Sequence, residues 1–225
     1  MPERVSFTTR DDVVLVGDWQ PVAALQGAAV LLHMMPETRQ SWSFLQRALA
    51  KKNIASIAID LRGHGESVQT TDDEVLDFRK FTDEQHQDYV LDAMAAIDWL
   101  RTKGLSVDRI FVIGASIGAN AALSVLTEEP RMAGGVFFSL GKDYRGLDAT
   151  TDIGNVLPHQ SLLLIAAEDD AAPFAETKEV FEKAPADDKV FLPYKVAGHG
   201  TAILQADSTL ADKISAWISE RLNRV

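Results

Sequence analysis

The chain has 225 residues, a net charge of −11 and no cysteine. No apolar run approaches the roughly 18 residues that cross a bilayer. The acidic balance disfavours nucleic acid and anionic membrane surfaces as partners, since both need a basic face. Disulfides, thiolate metal sites and a cysteine nucleophile are excluded.

The opening stretch, MPERVSFTTRDD, is charged and lacks an apolar core. No secretory leader is expected from it, and with no cysteines the expectation is a cytoplasmic protein. RVSFTT and VVLVGDW, separated by RDD, predict an antiparallel hairpin. AAVLLHMM (28–35) reads as a buried strand, 43–52 as a helix and IASIAID (54–60) as the next strand. Residues 66–82 are polar and irregular. A helix is predicted over 83–102, with Val90, Met94, Ile97 and Leu100 on one face.

DRIFVIG (108–114) is a strand and 117–127 a helix of small residues able to pack closely on a sheet. AGGVFFSL and SLLLIAA (161–167) are two further strands. A helix over 174–183, the strand KVFLPYKV (189–196) and a long helix over 202–222 complete the chain. After the hairpin every strand is followed by a helix. That order predicts one α/β domain over 1–225, a mostly parallel sheet covered by helices on both faces. The roughly twenty residues between the strands near 138 and 161 leave no room for a cap domain.

Gly114-Ala115-Ser116-Ile117-Gly118 matches Gly-x-Ser-x-Gly where a strand gives way to a helix. A serine on that turn is held with Oγ exposed, and the helix N-terminus behind it favours a developing negative charge. The alternative, a serine that only caps the helix, leaves the preceding strand and flanking glycines unexplained. A dinucleotide-binding fingerprint has the wrong spacing here and follows none of the first three strands.

With this elbow and this strand–helix order, nearly the whole chain resembles the α/β-hydrolase fold. Within it, the chain looks most like small capless serine esterases of the dienelactone hydrolase and prolyl-oligopeptidase-like branch. Dienelactone hydrolases proper use a cysteine, which this chain lacks. The resemblance implies an eight-stranded sheet and a triad in chain order Ser, acid, His. Ser116 is then the nucleophile. The acid falls in Glu168-Asp169-Asp170, where the family's Gly-x-x-Asp register selects Asp170 with Asp169 as competitor. The other carboxylates are assigned to the dipole of the next helix.

The base is His199 of VAGHGTAILQ, after the last strand. His64, in DLRGHGES, precedes the nucleophile and belongs to a structural loop. His33 is expected to be buried under the oxyanion loop, His86 to sit on a polar helix face and His159 in a loop.

The same resemblance assigns the oxyanion donors to the amides of Ile117 and Met35, in His33-Met34-Met35-Pro36. Met34 stands where the family commonly has glycine. Met34 and Trp42 are expected to line an apolar substrate site, and residues 140–148 to rim it. No zinc-ligand spacing such as His-Glu-x-x-His is present, so neither metal nor other cofactor is expected. The expected substrate is a small soluble ester. An acyl-thioester, a small peptide or a peracid-forming side reaction would use the same triad, and a silent ligand-binding fold is the non-enzymatic alternative. The sequence leaves oligomeric state open.

Overall fold

The computed structural model describes residues 2–224. In chain order the strands and helices are β1 (Glu3–Thr8), β2 (Val13–Gln20), β3 (Gly27–Leu32), α1 (Ser43–Lys51), β4 (Ile54–Ile59), β5 (Gln69–Thr70), α2 (Asp83–Gln87), α3 (Tyr89–Thr102), β6 (Ile110–Ala115) and α4 (Ile117–Glu128). They continue with β7 (Gly134–Phe138), β8 (Asp143–Tyr144), β9 (Leu147–Asp148), α5 (Ala149–Asp152), β10 (Ser161–Ala167), α6 (Ala171–Lys183), β11 (Lys189–Tyr194), α7 (Ala202–Ala206) and α8 (Leu210–Leu222).

The main sheet runs β1-β2-β4-β3-β6-β7-β10-β11, with the two-residue β5 pairing β2 at its side. β2 is antiparallel to β1 and β4, and every pairing from β4 to β11 is parallel. This is the mostly parallel, eight-stranded arrangement expected, with helices on both faces. Between β7 and β10 lie only the β8–β9 hairpin, α5 and a 3-10 turn in place of a cap domain.

The period of two along each strand divides the core. Ala28, Val30 and Leu32 of β3, and Ile110 and Val112 of β6, face α3 and α4. Ala29 and Leu31, and Phe111 and Ile113, face the opposite cluster, which contains Leu45 and Leu49 of α1 and Ile214 and Ile218 of α8. Central strands buried on both sides read as unbroken apolar runs, which explains their legibility in the sequence.

The strands expected over 28–35 and 189–196 end at Leu32 and Tyr194, and three helices differ from the sequence-based expectation. The helix predicted over 83–102 is broken at Asp88: a Thr82–Gln85 capping box starts α2, and α3 begins anew at Tyr89. The break changes the helical phase, so His86, expected on a polar face, is buried. Its Nδ1 lies 3.0 Å from the Tyr89 hydroxyl. The last helix is broken at Asp207, whose backbone turns extended and whose carboxylate accepts from Thr209 N at 2.8 Å and from the Tyr194 hydroxyl at 2.8 Å. α6 starts at Ala171 rather than 174, because Pro173 is tolerated within a first helical turn. Among the described residues no helix is long and apolar enough to cross a membrane.

Candidate active site

Ser116 sits at the C-terminal end of β6, the strand at the middle of the sheet. Its backbone adopts φ +54° and ψ −125°, a region that costs a non-glycine residue on the order of 1–3 kcal/mol. The surroundings impose it. Ser116 N donates to Phe138 O at 2.9 Å, while Ser116 O accepts from Ala119 N at 2.7 Å and begins α4. Both motif glycines are required by close approach. A Cβ on Gly114 would lie 2.0 Å from Gly118 O, and one on Gly118 would lie 2.5 Å from His33 O. The turn therefore folds back on its own helix while that helix presses on the end of β3. The Ile117 amide is the first of α4, outside the intrahelical ladder.

Asp170 and His199 come from loops after neighbouring parallel strands, β10 and β11. His199 Nδ1 lies 2.5 Å from Asp170 Oδ2. With Nδ1–H donating to the carboxylate, Nε2 is left as the free base position. Asp170 begins α6 but makes no side-chain cap, so its carboxylate is committed to the imidazole. A Cβ on Gly200 would approach Ala115 Cβ to 3.5 Å, which places the turn after His199 against the elbow.

The His199 loop is fastened on both sides. Asp169 Oδ1 accepts from Ala197 N at 3.1 Å and from Gly198 N at 3.2 Å. After the histidine, Gly200 N donates to Ser139 Oγ at 2.9 Å. Gly198 and Gly200 have φ of +74° and +55°, so the loop reverses on either side of the imidazole. The expectation that Asp169 serves a helix dipole is corrected: its oxygens hold two loop amides. The alternation of Asp169 and Asp170 along the chain gives each carboxylate a different target. No signal in the sequence marks Ser139, which reaches this loop from the end of β7 with φ +48°.

His33 is completely buried behind the loop after β3. Its Nε2 accepts Leu61 N at 3.0 Å, so Nδ1 carries the proton and donates to Met34 O at 2.9 Å. Burial pushes its pKa down to about 4 and keeps it neutral. It thus supports the Met34–Met35 segment, as expected from the sequence. Met34, the glycine replacement, avoids the left-handed region, and its sulfur packs where a Gly200 side chain would be. Met35 is half-buried on the opposite face, its sulfur 3.9 Å from the Tyr89 hydroxyl. Trp42, expected at the substrate, is instead fully buried and packs edge-on against Phe138 with 5.6 Å between ring centres. It begins a helix whose apolar face lies under the sheet.

His64 is buried and lies beside His33, with 4.9 Å between ring centres. Its ring stacks on Phe78 at 3.8 Å and its Nδ1 lies 3.1 Å from Arg62 O. Burial, reinforced by the neighbouring His33, pushes its pKa down to about 4. The loop around it is tied by Asp60, which accepts from Arg39 N at 2.8 Å and Glu66 N at 2.9 Å and pairs with the Arg39 guanidinium. His159, in a loop as expected, lies 3.0 Å from Pro130 O. Among the described residues no cluster of three His, Cys, Asp or Glu side chains could hold a metal ion.

Comparison with known proteins agrees with this architecture. The family described as serine aminopeptidase, S33, matches residues 23–140, just over half of the chain. A 2,6-dihydroxy-pseudo-oxynicotine hydrolase is similar in structure with a TM-score of 0.77 at 16% identity, over 98% of this chain and 68% of that one. An esterase from Pyrococcus furiosus gives 0.73 at 21%, covering 100% and 92%. A dienelactone hydrolase from Anabaena variabilis gives 0.69 at 19%, covering 99% and 98%. At these identities the likeness is one of fold. No curated protein is significantly similar in sequence. The matched segment runs from before β3 to just beyond β7 and includes the serine elbow, and on that match the chain belongs to the serine aminopeptidase S33 family of α/β hydrolases.

Proposed function

We propose that this protein is a serine esterase that hydrolyses small soluble carboxylic esters through an acyl-enzyme. The observation that carries the reading is the Asp170–His199 pair at 2.5 Å, on a doubly fastened loop beside the elbow of Ser116. In this reading His199 Nε2 takes the Ser116 proton as Oγ attacks the ester carbonyl. Asp170 holds the imidazole tautomer and stabilises the imidazolium. The amides of Ile117 and Met35 receive the oxyanion, each such donor being worth about 2.7–4 kcal/mol in the transition state. His199 returns the proton to the leaving alcohol, then activates the water that releases the acid.

Short acyl groups are the proposed substrates, because the hairpin and short helices after β7 offer no lid to cover a long chain. A fluorophosphonate probe should label Ser116 once, and Ser116→Ala should abolish the label. A panel of p-nitrophenyl esters should show acetate or butyrate turned over faster than palmitate. Labelling that survives in the Ala variant would end the esterase reading. Turnover confined to aminoacyl anilides or acyl-thioesters would move the substrate to the peptidase or thioesterase class with the triad unchanged.

A further inference from the structure

Tyr144 is the last residue of β8, and it pairs with Leu147 of β9. The two turn residues between them, Arg145 and Gly146, have φ of +59° and +85°, the mirror-image turn that suits a tight hairpin. This hairpin is rigidly held. Completely buried Asn120 of α4 donates to Gly141 O at 3.0 Å and Leu147 O at 2.8 Å, and accepts from Gly141 N at 3.2 Å. At the tip, Arg145 pairs with Asp83 of α2 at 3.1 Å, and Gln87 donates to Arg145 O at 3.4 Å.

The hairpin directs the Tyr144 ring across Gly141, where a Cβ would come within 2.6 Å of the ring. Gly141 lies three residues beyond Phe138, whose carbonyl accepts Ser116 N at 2.9 Å, so the hairpin sits beside the elbow with the phenol near the Ser116 side chain. Burial, with the charges of Asp170 and Glu176 nearby, pushes that phenol up to about 12, so it remains a neutral hydrogen-bonding group.

On the proposed esterase reading, the carbon attacked by Ser116 acquires four substituents, and three of their directions are assigned. One is Oγ itself. The oxyanion points to the amides of Ile117 and Met35. The leaving oxygen must face His199, whose loop packs with the α1 and α8 side of the sheet through Ala197 and Ile203. The acyl chain takes the remaining direction, toward the α3 and α4 side. Tyr144 and the Met35 side chain pack on that side.

We infer that Tyr144 is the wall of the acyl site, its ring, held by the β8–β9 hairpin, limiting acyl length. This inference rests on the esterase reading and assigns the specificity of that same site.

The test compares wild type, Tyr144→Ala and Tyr144→Phe on p-nitrophenyl acetate, butyrate and octanoate. Tyr144→Ala should raise the octanoate-to-acetate ratio of kcat/KM at least tenfold. Tyr144→Phe, which keeps the ring, should leave that ratio within threefold of wild type. Tyr144→Val provides the same readout should the Ala variant fold poorly. An unchanged ratio in the truncated variants, with Ser116 still labelled by fluorophosphonate, overturns the wall and leaves the esterase reading standing. A tenfold shift in Tyr144→Phe equal to that of Tyr144→Ala also overturns it, because the hydroxyl rather than the ring would then set chain length. Wild type that neither turns over any ester nor takes the label defeats the esterase reading and this inference with it.

Discussion

Asp169 accepts the amide of Gly198 with both carboxylate oxygens at 3.2 Å, one residue before His199. The next residue, Asp170, bonds the imidazole itself. Two adjacent carboxylates thus divide the work of placing one histidine: the first positions its backbone and the second its ring.

On the proposed mechanism the two should separate by variant. Asp170→Asn permits the wrong imidazole tautomer and should lower kcat by about 10⁴, as the equivalent change does in a serine protease. Asp169→Asn keeps an acceptor oxygen for Ala197 and Gly198 and should lose less than about fivefold. Asp169→Ala removes that acceptor, worth about 1–3 kcal/mol where the freed amides stay out of water, and should lose about tenfold or more. Steady-state kinetics at matched thermal stability decides the order. If Asp169→Asn proves more damaging than Asp170→Asn, the assignment is reversed.

Ser139 should behave as a positioning residue. Ser139→Ala leaves the buried amide of Gly200 without its acceptor, at a cost of about 1–3 kcal/mol. The expected result is a lower melting temperature together with a fall in kcat, whereas KM for acetate esters stays within about threefold. A variant with wild-type kcat would show that the loop holds without this bond.

The buried histidines predict acid sensitivity. His33 and His64 are held neutral, with pKa values pushed to about 4 from an unfolded value near 6.5. In that window the unfolded chain binds more protons than the folded one. Their contribution is therefore complete above about pH 6.5, declines as pH falls toward 4, and is fully lost below it. Each accounts for on the order of 3 kcal/mol across the window. Urea unfolding at intervals between pH 7.5 and 4.5 should show His64→Gln losing less stability with acid than wild type. Equal slopes in the two proteins would contradict the assignment. His64→Gln should also retain far more turnover than His199→Ala, which removes the proposed base.

The Arg62–Asp92 pair should be worth far more than any surface pair. Asp92 is completely buried and receives Arg62 Nε at 2.8 Å and Arg62 N at 2.7 Å. Asp92→Ala would strand a guanidinium that is only 5% exposed. Breaking such a pair typically costs about 3–5 kcal/mol, with the lower end expected because Asp11 still reaches Arg62 Nη1 at 2.6 Å. Arg101–Asp98, both more than half exposed, should be worth less than about 1 kcal/mol. Chemical denaturation of Asp92→Ala and Asp98→Ala side by side measures the difference.

Local chemistry carried most of the fold. Runs such as SLLLIAA and IASIAI are apolar on both faces of a strand, so period and composition alone identify them as inner strands. The Gly-x-Ser-x-Gly elbow was equally legible, because its two glycines answer contacts within a few residues or with the adjacent strand. Chain order, read through the family resemblance, favoured His199 over His64, and His199 is the histidine that bonds Asp170. The contacts of Asp169, Ser139 and Trp42 were decided only by tertiary structure. Each depends on a partner 28 residues away or more: Ala197, Gly200 and Phe138. An acidic pair before a helix reads the same whether its carboxylates face solvent or a loop. A tryptophan after a loop reads the same whether it lines a site or lies beneath it. His86 shows the same limit on a helix, since a break at Asp88 turns a face that an unbroken period would leave in water toward the core. Periodicity records which residues can share a face, and only the packing of distant elements determines what that face meets.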